Sequence, residues 1–433
     1  MLSRMWGKKF SVLMFCLILC SLSFAYTNVS GGQFEVVKTW GIEVEHPENV
    51  ISLTLKTPVL YVSPAQKVDF EFDHDYEIID GFYVIEINDP SSFEQVTLKA
   101  NVETNYDAWK ITQPTLKEDY NNLTLKVKPG PLTTPTQDIE NIAKKFESDN
   151  IYESTTDIVD WVYSNIEYDD EYIDDKLPAS KVCKIRRGTC DEYSHFTIAL
   201  FQSIDIPARF IKGYVYTGKW EPHAWMEYYN PRYGWLPVDP TFDEYVYLSG
   251  FKVAMSSSVE QDDALTDSVT GQGIGDFNLN FSVNTDIKTL ETYGRQVDFN
   301  VDPKIIEDGE DVTMKIILIN NKDKYYFIPT TVIFPPEIGG LDKGLTILAP
   351  YENKVIIKKV DVSLLKGNYV VPYNVNLFDQ NYPGDFDFYS SKSINYELEI
   401  AKAMFSYWWV LILPLFYLAL NFTYHRFLAR PVV

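Results

Sequence analysis

Short apolar–polar alternations occupy both halves of the chain, and a helical period interrupts them in the middle. Ile51, Leu53 and Leu55 alternate with Ser52, Thr54 and Lys56, and similar runs follow at 82–87, 96–102 and 123–127. A period of two, broken by Asn, Asp, Gly and Pro, predicts antiparallel strands buried on one face. Pro129-Gly130-Pro131 and Pro135 close this N-terminal β domain, set at 26–135. From Gln137 the period lengthens. Ile139, Ile142, Ala143 and Phe146 mark one helix, and Ser154-Thr155-Thr156-Asp157 is a capping sequence before a second with Ile158, Val162 and Ile166. A third is expected from near Cys190, through Tyr193, Phe196, Thr197 and Leu200, until Ile206-Pro207 breaks it. Strands follow at 210–216, 224–229 and 235–238, with a turn at 230–234 joining the last two. This predicts an α+β domain over 136–255.

Residues 256–276, rich in Ser, Asp, Gly and Thr, read as a linker. Alternation returns at 312–320, 354–362 and 368–377, so 277–400 is expected to be a β-sandwich of the immunoglobulin type, though without a Cys–Trp–Cys signature. Both chain ends look like targeting segments. Residues 1–25 join Arg4, Lys8 and Lys9 to an apolar run and Ser23-Phe24-Ala25, the layout of a signal peptide cut before Tyr26. Residues 403–424 lack Asp, Glu, Lys and Arg, enough for a transmembrane helix, and His425, Arg426 and Arg430 place the tail 425–433 in the cytoplasm. The expected fold class is therefore an α+β core flanked by two all-β sandwich-like domains, plus one C-terminal transmembrane helix. The expected location is the cell membrane, single-pass, with the ectodomain outside.

Composition narrows the partners. A formal charge of −23 argues against nucleic acid, which demands a basic footprint. With 45% hydrophobic and 15% aromatic residues the chain has material for several cores. Asn28, Asn122 and Asn280 open glycosylation sequons. No zinc spacing, Walker loop, dinucleotide fingerprint or EF-hand loop is present, so no cofactor or metal is expected, and the acidic stretch 169–175 reads as solvated surface.

Of four cysteines, Cys16 and Cys20 lie in the leader and Cys183 and Cys190 remain. One reading joins these two as a structural disulfide, and a lesser one makes that bond a reversible gate. The other makes Cys190 a reactive thiol. It stands in Arg186-Arg187-Gly188-Thr189-Cys190-Asp191, where a glycine turn enters a helix and Lys181, Lys184, Arg186 and Arg187 are close in sequence. A helix N-terminus and cations favour a thiolate. Acyl transfer by that thiolate also requires an imidazole and a group to orient it. His46 and His74 fall in the N-terminal β domain, and His195 is turned roughly 140° around the helix from Cys190. His223 opens one strand and Asp239 ends the next. A hairpin therefore brings the two to the same end, within hydrogen-bond reach.

Arg186-x-Gly188-x-Cys190, Gly213 after Ile206-Pro207-Ala208-Arg209, His223-Ala224-Trp225-x-Glu227, Gly234-Trp235 and Val238-Asp239-Pro240 resemble, in order, the core of the transglutaminase-like superfamily. Asp160-Trp161-Val162 to Ile166-x-Tyr168-Asp169 is similar to the helix before that core, so the resemblance spans 161–244. It implies a papain-like arrangement with Cys190 as nucleophile, His223 as general base and acid, Asp239 as orienter, and the Cys190 N–H in an oxyanion hole. Thr189 stands where animal transglutaminases have glutamine, so cross-linking itself is not implied. The expected function is that of a membrane-anchored extracytoplasmic cysteine protease, amidase or acyltransferase. Its substrates would be amide bonds of peptides, cell-surface proteins or cell-wall material, cleaved through a thioester. The alternative is a non-catalytic adhesion or assembly protein that uses this domain as a scaffold.

Overall fold

The computed structural model describes residues 29–259, 266–295, 299–308, 311–362, 365, 368–378 and 380–389. The N-terminal strands are β1 (Val29–Glu45), β2 (Val50–Pro58), β3 (Gln66–Phe72), β4 (Glu77–Ile79), β5 (Phe82–Asn88) and β6 (Phe93–Asn105). Along β1, Phe34, Val36, Trp40, Ile42 and Val44 are buried while Glu35, Glu43 and Glu45 face solvent, as a period of two demands.

The middle segment carries α1 (Gln137–Ala143), α2 (Ile151–Asn165), β7 (Glu167–Tyr168), α3 (Ala179–Ile185), β8 (Arg187–Gly188) and α4 (Cys190–Gln202). Then come β9 (Ala208–Tyr216), β10 (Trp220–Asn230), β11 (Gly234–Asp239), β12 (Glu244–Tyr245) and β13 (Lys252–Ser258). These last five form an antiparallel sheet in the order β12-β11-β10-β9-β13, with α4 packed on β10 and β9. Helix α2 starts earlier than Ser154. Asn150 caps it, accepting from the Tyr152 N–H at 3.1 Å, while Thr155 and Thr156 sit inside and donate back to the carbonyls of Ile151 and Tyr152.

The expected linker 256–276 is partly strand. After β13, β14 (Ser268–Gly273) and β15 (Asn278–Gly294) return to the first domain, β14 pairing with β2 and β15 running the length of β1. The N-terminal sheets are thus β15-β1-β6-β3 and β14-β2-β5-β4. A long β1 left at an edge would expose a row of unpaired backbone groups, and β15 covers it. The chain ends in β16 (Phe299–Asp308), β17 (Asp311–Asn320), β18 (Tyr326–Ile333), β19 (Leu341–Leu348), β20 (Asn353–Val360), β21 (Asn368–Leu377) and β22 (Gln380–Tyr389). They pair as β16-β17-β20 and β19-β18-β21-β22.

Both β units rest on the middle one. Val253, Tyr214 and Trp220 join the N-terminal core of Phe34, Trp40, Leu55 and Ile85. On the other side Phe327 meets Tyr245 at 4.8 Å and Tyr152 at 5.2 Å, and Tyr247 donates to the Tyr325 carbonyl at 2.8 Å.

The expected fold class needs correction: the described residues are mostly β, with the α-helices among them lying within 137–202. The expected transmembrane helix and the single-pass membrane location find no support among the described residues. No helix among the described residues is long and apolar enough to cross a membrane. The longest, α2, has 15 residues, about 22 Å at 1.5 Å per residue against a hydrocarbon core of about 30 Å. The segments expected as signal peptide (1–25), span (403–424) and tail (425–433) lie outside the described residues.

Candidate active site

Cys190 is set by what precedes it. Arg186 ends α3 in the left-handed region at φ 59°, β8 pairs in parallel with β7 so that Gly188 lies opposite Tyr168, and α4 then begins at Cys190. Thr189 and Glu192 cap that helix reciprocally. The Glu192 carboxylate accepts from the Thr189 N–H at 2.9 Å, the Thr189 hydroxyl at 2.7 Å and the Leu177 N–H at 3.2 Å. A Cβ on residue 188 would lie 2.4 Å from the Glu192 Cβ, which is why glycine belongs there. Cys190 is thus the first helical residue, partly exposed, among amides that have no partner within the helix and carry its positive end.

The hairpin of β10 and β11 supplies the other two candidates. With Met226 opposite Val238, His223 and Asp239 fall at one end, and His223 Nε2 lies 2.8 Å from Asp239 Oδ2. The Cys190 thiol is within hydrogen-bond reach of the same imidazole. Since Nε2 is engaged by Asp239, Nδ1 is the nitrogen left for the sulfur. Trp225 stacks on the His223 ring at 5.9 Å and Phe242 closes it at 5.2 Å. Gly213 pairs with His223 across the sheet, and a Cβ there would sit 2.7 Å from the Trp225 ring.

Electrostatics couple the group. Burial by itself lowers the His223 pKa, but the charge and hydrogen bond of Asp239, together with Cys190, push it up to about 10. His223 is therefore an imidazolium at neutral pH. Burial raises Asp239, yet His223 and Lys252 outweigh it and hold the carboxyl below its ordinary range. Lys252, 1% exposed, was not among the sequence candidates. Its ammonium lies 3.3 Å from Asp239 Oδ2, 2.5 Å from Glu244 Oε2 and 4.7 Å from the centre of the Phe242 ring. A lone lysine within the apolar stretch 245–255 was the available signal.

Other expectations shift. The cations near Cys190 in sequence serve elsewhere: Arg186 lies over Trp161 at 4.7 Å, and Arg187 pairs with Glu167 and Asp169, each at 3.2 Å. Cys183 and Cys190 are both free thiols, so neither disulfide reading finds a bond, and burial raises the Cys183 pKa. His195 is buried and stacks on Phe210 at 5.0 Å; His46 and His74 pair with Glu48 and Asp73 on the surface. Glu227 of the motif is a fastening. It accepts from Arg209 at 2.7 Å and from the Tyr61 hydroxyl, tying the central sheet to the first domain. Among the described residues no trio of His, Cys, Asp or Glu is placed to hold a metal.

Residues 140–240 match the sequence model of the transglutaminase-like superfamily, so the chain carries a domain of that kind. An uncharacterised Bacillus subtilis protein, YebA, is 25% identical over 226 residues, 46% of this chain and 28% of that protein. A protein-glutamine gamma-glutamyltransferase of Pseudomonas aeruginosa is 34% identical over 68 residues, 13% of this chain and 10% of the relative. The chain thus spans less than a third of the length of either. A solved Cytophaga hutchinsonii structure, provisionally named a cysteine protease, aligns at 19% identity with a TM-score of 0.43, covering 61% of this chain and 94% of that one. The family-model match sets the domain within a general catalytic family.

Proposed function

We propose that the chain is a cysteine-dependent amidase or acyltransferase that works through Cys190, His223 and Asp239. The observation that carries this is the buried His223–Asp239 hydrogen bond at 2.8 Å beside a thiol at the start of a helix. A scaffold has no physical need for a buried imidazolium aimed at a cysteine. In the forward step the Cys190 sulfur, with its proton already resident on the His223 imidazolium, attacks an amide carbonyl carbon. The resulting oxyanion is met by the Cys190 N–H and the positive end of α4. The C–N bond then breaks, His223 protonates the departing amine, and a thioester remains on Cys190. Water attacks the thioester with His223 as base, releasing the acid and the Cys190 sulfur with the proton again on His223. Partial exposure of Cys190 favours water as the acceptor. The glutaminyl carboxamide in the name of the Pseudomonas relative makes glutamine-containing peptides the first substrates to try.

The test has two parts. Limiting iodoacetamide near pH 6 should label Cys190 well ahead of Cys183, and His223→Ala should abolish that preference. Ammonia release from a glutaminyl peptide should vanish in Cys190→Ala with the fold intact. Equal, slow labelling of both thiols, unaffected by His223→Ala, would return the domain to the scaffold reading.

A further inference from the structure

We infer that Lys252 is a positioning residue of this site: it fixes the Asp239 carboxylate against the His223 ring, making the working unit Cys190, His223, Asp239 and Lys252. The inference rests on the acyl-transfer reading above.

An orienting carboxylate is useful only if it cannot turn away. Asp239 Oδ1 accepts from the Thr241 N–H at 3.0 Å, and Oδ2 faces both His223 Nε2 at 2.8 Å and Lys252 Nζ at 3.3 Å. Both oxygens are pinned, so rotation of the carboxylate is closed off. Lys252 reaches this point from an unexpected direction. It begins β13, at one edge of the five-stranded sheet, while Glu244 begins β12 at the other. Their 2.5 Å contact draws the two edges together around Asp239. Glu244 Oε2 also accepts from the Ser249 N–H at 3.2 Å, and the Phe242 ring that packs on His223 lies under the ammonium. Charges alternate along the line: His223 positive, Asp239 negative, Lys252 positive, Glu244 negative.

A purely structural pair would require only Lys252 and Glu244. It would not require the ammonium on the very oxygen that faces the imidazole. That placement has a chemical consequence. The ammonium offsets part of the Asp239 charge, so the His223 proton is held less tightly than a bare carboxylate would hold it and can pass to a departing amine. The charged and titratable groups around His223 are Cys190 and Asp191 from α4, Asp239 from β11, Glu244 from β12 and Lys252 from β13, with the Tyr106 hydroxyl donating to the Lys252 carbonyl at 3.5 Å.

The experiment is the rate of Cys190 alkylation by iodoacetamide against pH in the full chain, located by peptide mass spectrometry. The upper inflection reports loss of the His223 proton and is identified by its absence in His223→Ala. In Lys252→Met it should move up by about one pH unit, while Lys252→Arg should overlay the parent. Because Lys252→Met leaves Glu244 buried and unpaired, Lys252→Met/Glu244→Gln serves where the single variant does not fold; its inflection should move the same way by less. Folded variants with lower melting temperatures and an unmoved inflection would overturn the positioning role and leave a structural ion pair. A parent profile with no inflection sensitive to His223→Ala would instead sink the acyl-transfer reading, and the role of Lys252 with it.

Discussion

Replacing Asp239 with asparagine keeps the shape of the side chain and its acceptor toward His223 Nε2 but removes the charge. The charge is what should matter. His223 stands at about 10, against 6.5 for an ordinary histidine, even though burial alone would lower it. Two unit charges about 4 Å apart attract by about 4 kcal/mol at an effective dielectric near 20. At about 1.4 kcal/mol per pH unit that is roughly 3 units. Without the Asp239 charge His223 should fall to about 7, a value in which the lowering by burial is already included. At about pH 8 it then changes from an imidazolium to a largely neutral ring, and the Cys190 sulfur loses its cationic neighbour. The alkylation rate of Cys190 at about pH 8 should then drop about tenfold, with the His223 inflection moved down by about 3 units. Circular dichroism would establish that the variant is folded. A folded Asp239→Asn whose rate–pH profile overlays the parent would refute the argument, because the link between Asp239 and the imidazole would then carry no charge effect.

The same pair predicts a pH dependence of stability. The folded His223 value lies above its ordinary one, so the stabilisation is complete below about pH 6.5 and is lost as pH rises through about 10; the parent should lose more melting temperature between pH 7 and 10 than Asp239→Asn. Gly188→Ala would force Glu192 away and release the amides of Thr189 and Leu177. The expected cost, by urea unfolding, is about 2–4 kcal/mol, with slower Cys190 labelling in the folded fraction. Phe327→Ala removes a buried ring from between Tyr152 and Tyr245 and should cost about 3–5 kcal/mol, whereas an unchanged unfolding midpoint would mean that the C-terminal sheets do not lean on the central unit.

Much of the site was local and therefore readable. Gly188, Thr189 and Cys190 announce a tight approach followed by a helix start, and α4 begins at Cys190. His223 and Asp239 are separated by a single turn, so the hairpin brings both to one end, where their side chains meet at 2.8 Å. The cations before Cys190 were misread because nearness in sequence says nothing of direction: Arg186 points to Trp161 and Arg187 to Glu167 and Asp169. Lys252 was overlooked because its partners sit on strands at the far side of the sheet order.

By itself the sequence determined the periods, the caps and the turns: alternation at both ends, helices between 137 and 202, and a hairpin that carries His223 and Asp239. These depend on interactions a few residues long, which side-chain type and spacing control directly. Only the tertiary structure decided that β14 and β15 return to β1 and β2 across more than two hundred residues, and that Lys252 and Glu244 join opposite edges of one sheet. Alternating strands are interchangeable as sequence. Which edge each one covers is settled by the backbone groups and apolar faces that the assembled fold would otherwise leave unpaired.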